Sequence, residues 1–506
     1  MHRLIYYSRC EYTPLITIFV GNTPKKYFVT PPITRPAFFL ILFLFIAGIT
    51  FGQDKTVMPS PGQEWSLQQC IDYAWAHNIS VKQAELNLGV AQNNVTQSKA
   101  NLLPNISGFV SQTYNYGLTV NPFTNTFANG EVTADDFALN GSLIIFGGFQ
   151  SINTIRQNEA NYKASGYDLQ SNKNTLALNI SQAYLQILLD EELLQEAKGQ
   201  QDVSLQEVQH TKTLVDAGSL AKSNLLDIES QEANDEVNEV SAQNQLDLAL
   251  LTLTQLLDLD SAQSFKVMRP EISIPENPAI NNPEVIYSAA LTNQPDIQSS
   301  ELKWESAEHA KAISSGGLYP RLTLTGSIGT GYSTGNYSEV PTIDTIHTSI
   351  AGANIYFPSV SEGGIVPFSQ QWKNNRDESF GFRLTIPIFN GFQANIANQN
   401  AKLSEQNAYY NYVTTQLNLR KTIQQAYADA YASLKKYHAE EKSVAALNES
   451  FGYIKTKFDV GAATALDYNT AKTNLEKAES DMLQAKYTYV FKLKVLDYYE
   501  GKPLKL

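Results

Sequence analysis

The chain has 506 residues, is 43% hydrophobic and only 17% charged, and carries a formal charge of −13. That length allows several ordinary domains, while an acidic chain without a basic stripe excludes nucleic acid as a partner. Two cysteines, Cys10 and Cys70, exclude a disulfide framework. The six histidines (His2, His77, His210, His309, His347, His438) form no i, i+4 pair and no cluster with cysteine, so no metal site is expected. No phosphate loop, dinucleotide fingerprint or base beside a nucleophile is present. Neither an enzyme nor a cofactor is expected.

In chain order, the first informative segment is basic and then apolar. Lys25, Lys26 and Arg35 precede the run Ala37 to Ile49, and small residues follow. This is the order of a secretory signal peptide, expected over residues 1–52 with cleavage near Gly52-Gln53. The run is about 13 residues, short of the roughly 20 that span a bilayer. Residues 53–64 read as a polar linker. A first repeat is expected over 65–267. It opens with helices over 65–102, one short (Trp65 to His77) and one longer, ended by Pro104.

The hydrophobic period then changes to two. In a strand over 105–116, Ile106, Gly108, Val110, Tyr114 and Tyr116 fall mostly on one side, opposite Ser107, Ser111, Thr113 and Asn115. A second strand over 137–146 sets Phe137, Leu139, Leu143 and Ile145 against Ala138, Asn140 and Ser142, after a polar loop 117–135. Two long helices fill 149–256, broken at Val215-Asp216-Ala217-Gly218. The first covers roughly 65 residues, about 100 Å of helix. Its apolar stripe (Leu176, Ile180, Tyr184, Ile187, Leu188) has to be buried against other rods.

After a Pro-rich linker at 268–283 the order repeats over 284–506: helices 284–315, strands 322–332 and 379–389, long helices 391–500. Phe146-Gly147-Gly148-Phe149 returns as Phe389-Asn390-Gly391-Phe392. Gln182-Ala183-Tyr184 returns as Gln425-Ala426-Tyr427, and Asp216-Ala217-Gly218 as Asp459-Val460-Gly461. All are 243 positions apart, whereas Leu103-Pro104 and Tyr319-Pro320 are 216 apart. An internal duplication follows, with a second hairpin loop 27 residues longer, at 333–378.

Strands of about 10 residues that alternate apolar with small polar side chains suit a membrane barrel wall. A sheet in lipid has to close, because an open edge leaves backbone groups unpaired. Four strands cannot close alone, so two or three copies are required. Phe146, Phe149, Phe389 and Phe392 at one end and Tyr116, Phe123 and Tyr332 at the other suit interfacial girdles. The alternative is a secreted or surface-attached coiled-coil or adhesive protein. Its helices would carry sustained heptads, whereas these spread Ala, Ser, Asn and Gln over several faces.

The paired elements Ile145-Phe146-Gly147-Gly148 and Ile388-Phe389-Asn390-Gly391, with the paired turns Asp216-Ala217-Gly218 and Asp459-Val460-Gly461, resemble the TolC family of outer-membrane efflux proteins. The resemblance spans about Trp65 to Gly501. It implies a mainly α chain with a membrane β-barrel. Three chains would build one twelve-stranded barrel in outer-membrane lipid, continuing into a long periplasmic α-helical barrel. It implies the outer-membrane channel of a tripartite efflux or type I secretion system, a passive conduit gated at its periplasmic tip. The implied partners are two further copies of the chain, a periplasmic adaptor and an inner-membrane pump. Asp467, Asp227, Asn224 and Phe458 would lie at the tip gate or lumen. Asp216, Gly218, Asp459 and Gly461 would form the turns that meet the adaptor. A ring of carboxylates there favours cations. Turn chemistry is the other reading of Asp216 and Asp459. Thr470, Phe458 and Ala463 depart from the family's polar gate.

Overall fold

The computed structural model describes residues 64–504, except 122, 124, 126, 260–264, 271, 273, 275–279 and 351–352. The expected signal peptide lies outside the described residues, as does the following linker except for Glu64.

The first half runs β1 (Glu64–Trp65), α1 (Leu67–His77), α2 (Ile79–Ala100), β2 (Asn105–Val120), β3 (Phe127–Gly147), α3 (Gln150–Asp216) and α4 (Lys222–Leu256). The second runs β4 (Lys266–Val267), α5 (Pro283–Asn293), α6 (Pro295–Gly316), β5 (Arg321–Ser333), β6 (Tyr337–Ile350), β7 (Ala353–Ile365), α7 (Phe368–Asn374), β8 (Asp377–Thr385), α8 (Gln393–Asp459) and α9 (Ala465–Tyr499). The duplication holds to the residue. α1 and α5 each have 11 residues, α2 and α6 each 22, α3 and α8 each 67, α4 and α9 each 35.

Local chemistry sets the short helices. Ser66 and Gln69 form a capping box at the start of α1. The Asn78 side chain accepts from the Ser80 N–H at 2.9 Å to start α2, and Pro283 and Pro295 sit in the first turns of α5 and α6. α1, α2 and α6 pack along α3, while α5 packs against α8 and α9. The stripe Leu176, Ile180, Tyr184, Ile187 and Leu188 is buried against Trp65, Cys70, Ile71, Leu253 and Leu257. The Tyr184 hydroxyl donates to the Met268 carbonyl (2.6 Å) and lies 3.0 Å from that of Trp65, placing α3 against the first strand and the inter-repeat link. Burial pushes the Cys70 thiol up to about 12, so it stays protonated and unreactive.

The two long first arms differ in one respect. α3 packs on α2, α4, α6 and α9 and buries seventeen residues. α8 packs on α6 and α9 and buries five. In the duplication α2 and α6 exchange places. The counterpart of the α3–α6 contact is therefore α8 on α2, and no extensive packing of that kind exists within one chain.

The four-stranded antiparallel sheet has the order β2-β3-β5-β8, which leaves β2 and β8 as free edges. Its register sorts the side chains by face. Ser107, Asn140, Ser327 and Ser379 form one row across all four strands, with Ser327 Oγ 2.7 Å from Ser379 Oγ. Leu143, Leu324 and Phe382 form a row on the opposite, apolar face. The strands differ in extent from the sequence reading. β2 continues to Val120 and β3 begins at Phe127, so most of the expected loop 117–135 is paired backbone. Polar residues such as Glu131, Asp135 and Asp136 continue the hairpin beyond the apolar band and hide its period. β8 ends at Thr385 rather than Phe389, because Pro387 has no N–H for a ladder. The expected loop 333–378 holds the β6–β7 hairpin and α7. Among the described residues no helix is long and apolar enough to cross a membrane.

Candidate functional site at the helical tip

Both long helices end in the same glycine turn. At the first, the Gly218 N–H donates to the Val215 carbonyl (2.9 Å) and the Ser219 N–H to that of Leu214 (2.9 Å). At the second, Gly461 donates to Phe458 (2.9 Å) and Ala462 to Lys457 (2.8 Å). This is the Schellman arrangement, in which a left-handed residue reverses the chain and satisfies the last carbonyls. Gly218 and Gly461 supply it with φ of 73° and 74°. Asp216 and Asp459 are the final residues of α3 and α8, and both are exposed with their glycines.

The return helices start differently. Thr464 and Asp467 form a capping box for α9. The Asp467 N–H donates to Thr464 Oγ1 at 3.1 Å, and the Asp467 carboxylate accepts from the Thr464 N–H at 3.0 Å. The corresponding start of α4 has Ala221 and no side-chain cap. The Thr464 hydroxyl, followed by its N–H, holds the Asp467 carboxyl below the usual carboxylate range. The charged cap is therefore fully in place above the ordinary Asp range and is lost as pH falls through the lowered folded value.

The remaining tip residues play two kinds of part. Phe458 is buried, its ring 5.1 Å from that of Tyr468, within a cluster that includes Ile228 of α4 and Ala465 of α9. It joins the two hairpins by packing. Asn224 is half-buried in the first turn of α4. Asp227 is exposed, and its backbone carbonyl accepts from Asn469 of α9 at 3.5 Å. Asp467 and Asp227 therefore lie on neighbouring helices at the same end of the molecule, with Asp216 and Asp459 at the turns.

Above the tip lies a feature that sequence reasoning missed. Lys472 of α9 is 1% exposed. Its ammonium donates to Asp235 Oδ2 of α4 (2.5 Å), to Ser204 Oγ of α3 (2.5 Å) and to the Gln200 carbonyl (3.3 Å), and lies 3.3 Å from Glu476. Gln231 donates to the other Asp235 oxygen at 2.9 Å. Three long helices meet at one buried charge. A cleft of about 390 Å³, lined by Glu196, Asn238, Gln245, Glu476 and Glu479 among others, opens beside it. Burial raises the pKa of Glu476 and of Glu479.

The outer membrane efflux protein family pattern matches residues 70–258 and 286–497, more than half of the chain and one segment per repeat. The outer membrane protein TolC of Escherichia coli is 21% identical over 449 residues, covering 87% of this chain and 83% of TolC. The toxin and drug export protein A of Aggregatibacter actinomycetemcomitans is 21% identical over 441 residues, covering 84% and 83%. The structure of the outer membrane protein VceC of Vibrio cholerae superposes with a TM-score of 0.71 at 16% identity, covering 87% of this chain and 96% of VceC. A match of this extent sets aside the fibre alternative.

Proposed function

The chain belongs to the outer membrane efflux protein family, and on that premise we propose that three copies close one twelve-stranded barrel continued by a hollow helical cylinder. It is an outer-membrane efflux channel rather than an enzyme, with its helical part in the periplasm. The observation that carries the trimer is the pair of free sheet edges. β2 and β8 expose Ile106, Val110, Phe380, Phe382 and Leu384, side chains that water disfavours, beside backbone groups that lipid cannot pair. Two copies would give eight strands, whose interior side chains nearly fill. Three leave a lumen. The open flank of α8 calls for the same neighbour, since α2 of the next chain supplies the contact that α3 finds in α6.

The duplication also gives the missing register. β3 pairs with β5 as Leu143↔Leu324 and Ala138↔Gly329. Carrying each strand to its counterpart pairs β8 with β2 of the next chain, with Leu384 opposite Val110. A Val110→Cys/Leu384→Cys chain should form interchain disulfides on oxidation and run as covalent dimers and trimers without reductant. Each single variant should remain uncrosslinked. Efficient crosslinking of Leu384→Cys to Cys at 109 or 111 instead would refute this register.

At the tip, Asp216, Gly218, Asp459 and Gly461 form the surface for a periplasmic adaptor that leads to an inner-membrane pump. The channel is passive, and its partners supply the energy. Asp227 and Asp467, with Asn224 beside them and Phe458 packed behind, border the gate. The wild-type channel in a planar bilayer should be cation-selective. Asp467→Asn removes the charge and keeps an oxygen to accept from Thr464, so selectivity should fall while the fold stays intact. Unchanged selectivity would leave Asp467 with a capping role alone.

A further inference from the structure

Two turns above the first tip, the side chains of Glu207 and His210 on α3 converge with Asp459 at the end of α8. Their ligating atoms all lie within 4.8 Å of one another. His210 Nδ1 is 3.4 Å from Glu207 Oε1, close to the separation of two ligands held about 2.1 Å from one tetrahedral ion. Glu207 is only 6% exposed, and among the described residues this histidine is the one hydrogen-bonding partner of its carboxylate. A carboxylate so buried ordinarily has a cation or several donors beside it. Two buried hydroxyls nearby also find no partner among the described residues. The Tyr468 hydroxyl, on a side chain 2% exposed, has no hydrogen-bond partner and lies within electrostatic reach of Glu207 and Asp459. The hydroxyl of Thr211, one turn along from Glu207 and fully buried, has none either.

We propose that Glu207, His210 and Asp459 form a binding site for a divalent transition-metal cation of the Zn²⁺ class. One nitrogen and two carboxylate oxygens supply three ligands, and water completes a tetrahedral shell. The neutral imidazole and two ionised carboxylates are the forms that bind metal near neutral pH. Small rotations of His210 and Asp459, both exposed, close the set around the fixed Glu207. The ion neutralises a buried charge and ties the last turn of α8 to α3, clamping the ends of the two long arms together. The sequence hides the site because Asp459 enters from the other repeat, leaving His210 beside a single acid. All three ligands belong to one chain, so the site does not depend on the trimer or on the gate assignment.

The test is calorimetric titration of Zn²⁺ alone into the chelator-treated, detergent-solubilised full chain. One saturable site per chain is expected in the wild type. His210→Asn and Asp459→Asn alter exposed residues and should leave the circular dichroism spectrum unchanged while weakening binding at least tenfold. Glu207→Gln should do the same if it folds. His438→Asn is the comparison, since His438 stands 3.3 Å from Glu441 in the same i, i+3 relation but, among the described residues, without a third ligand. It should bind as the wild type does. Wild-type affinity in both His210→Asn and Asp459→Asn would overturn the site. So would the absence of wild-type binding, or a loss confined to His438→Asn.

Discussion

Lys472→Ala is expected to destabilise the helical part of the molecule by about 3–5 kcal/mol, the range for removing one partner of a buried ion pair. The loss is not that of a surface bridge, which is worth about 0–1 kcal/mol. The side chains of Lys472 and Asp235 are 1% and 2% exposed, and removing the ammonium leaves the Asp235 carboxylate buried with Ser204 and Gln231 as its remaining donors. Thermal unfolding followed by circular dichroism should show a lower midpoint than the wild type. Lys472→Met combined with Asp235→Asn should recover much of it, because the double change removes both charges and keeps an amide for Ser204 and Gln231. The defect should also depend on pH. Burial raises the Glu476 pKa and Lys472 partly offsets that rise. Without the lysine, the folded carboxyl binds its proton more readily than the unfolded one. Stability of Lys472→Ala should therefore increase as pH falls from neutral through the raised Glu476 value. A wild-type midpoint for Lys472→Ala would show that the three helices are held by packing alone.

The helices were legible because length and period are redundant signals. A stripe sustained over dozens of residues, repeated 243 positions later, leaves little freedom about its partner. The strands were legible only where they are amphipathic. Over 117–120 and 127–136 the backbone stays paired while the side chains turn polar, so alternation ends before the strands do. The tip shows a finer division. Thr464-x-x-Asp467 is a capping box that can be read from spacing alone, yet the family resemblance drew attention to the charge of Asp467 rather than to its hydrogen bond. Phe458 lies in the last turn of α8 and packs into a core with Tyr468 and Ile228. The Lys472 network could not be read in advance. Its members come from three helices in two repeats, and the counterparts of Lys472 and Asp235 are Glu229 and Ala478, so the duplication gives no second copy to notice. A lysine in a helix rich in polar residues looks solvated until packing places it inside.

The second large effect is expected at Gly148, where strand gives way to helix. Its φ is 62°, and a Cβ there would lie 2.3 Å from the Gly316 carbonyl oxygen and 2.9 Å from the Tyr319 Cβ. The approach is mutual, since a Cβ on Gly316 would lie 2.5 Å from the Gly148 oxygen. Gln150 fastens the junction by donating to the Ile313 carbonyl at 3.0 Å. Gly148→Val therefore adds a backbone collision to the roughly 1–2 kcal/mol of left-handed strain, and the two repeats must part where the sheet meets the long helices. The protein should nearly vanish from the outer-membrane fraction. Gly391 occupies the equivalent turn with the same φ of 62°, yet in a single chain its Cβ would meet nothing within 4 Å. If the chain functioned alone, Gly391→Val would cost little beyond the strain. In the proposed trimer the place of Gly316 is taken by Ala100 of the next chain, whose methyl group holds the backbones further apart. Gly391→Val should then yield folded monomers that form few heat-dissociable trimers on native-like gels, a defect of assembly rather than of folding. A normal trimer yield from Gly391→Val would mean that the second junction faces open space, and the ring inferred from the duplication would lose this contact.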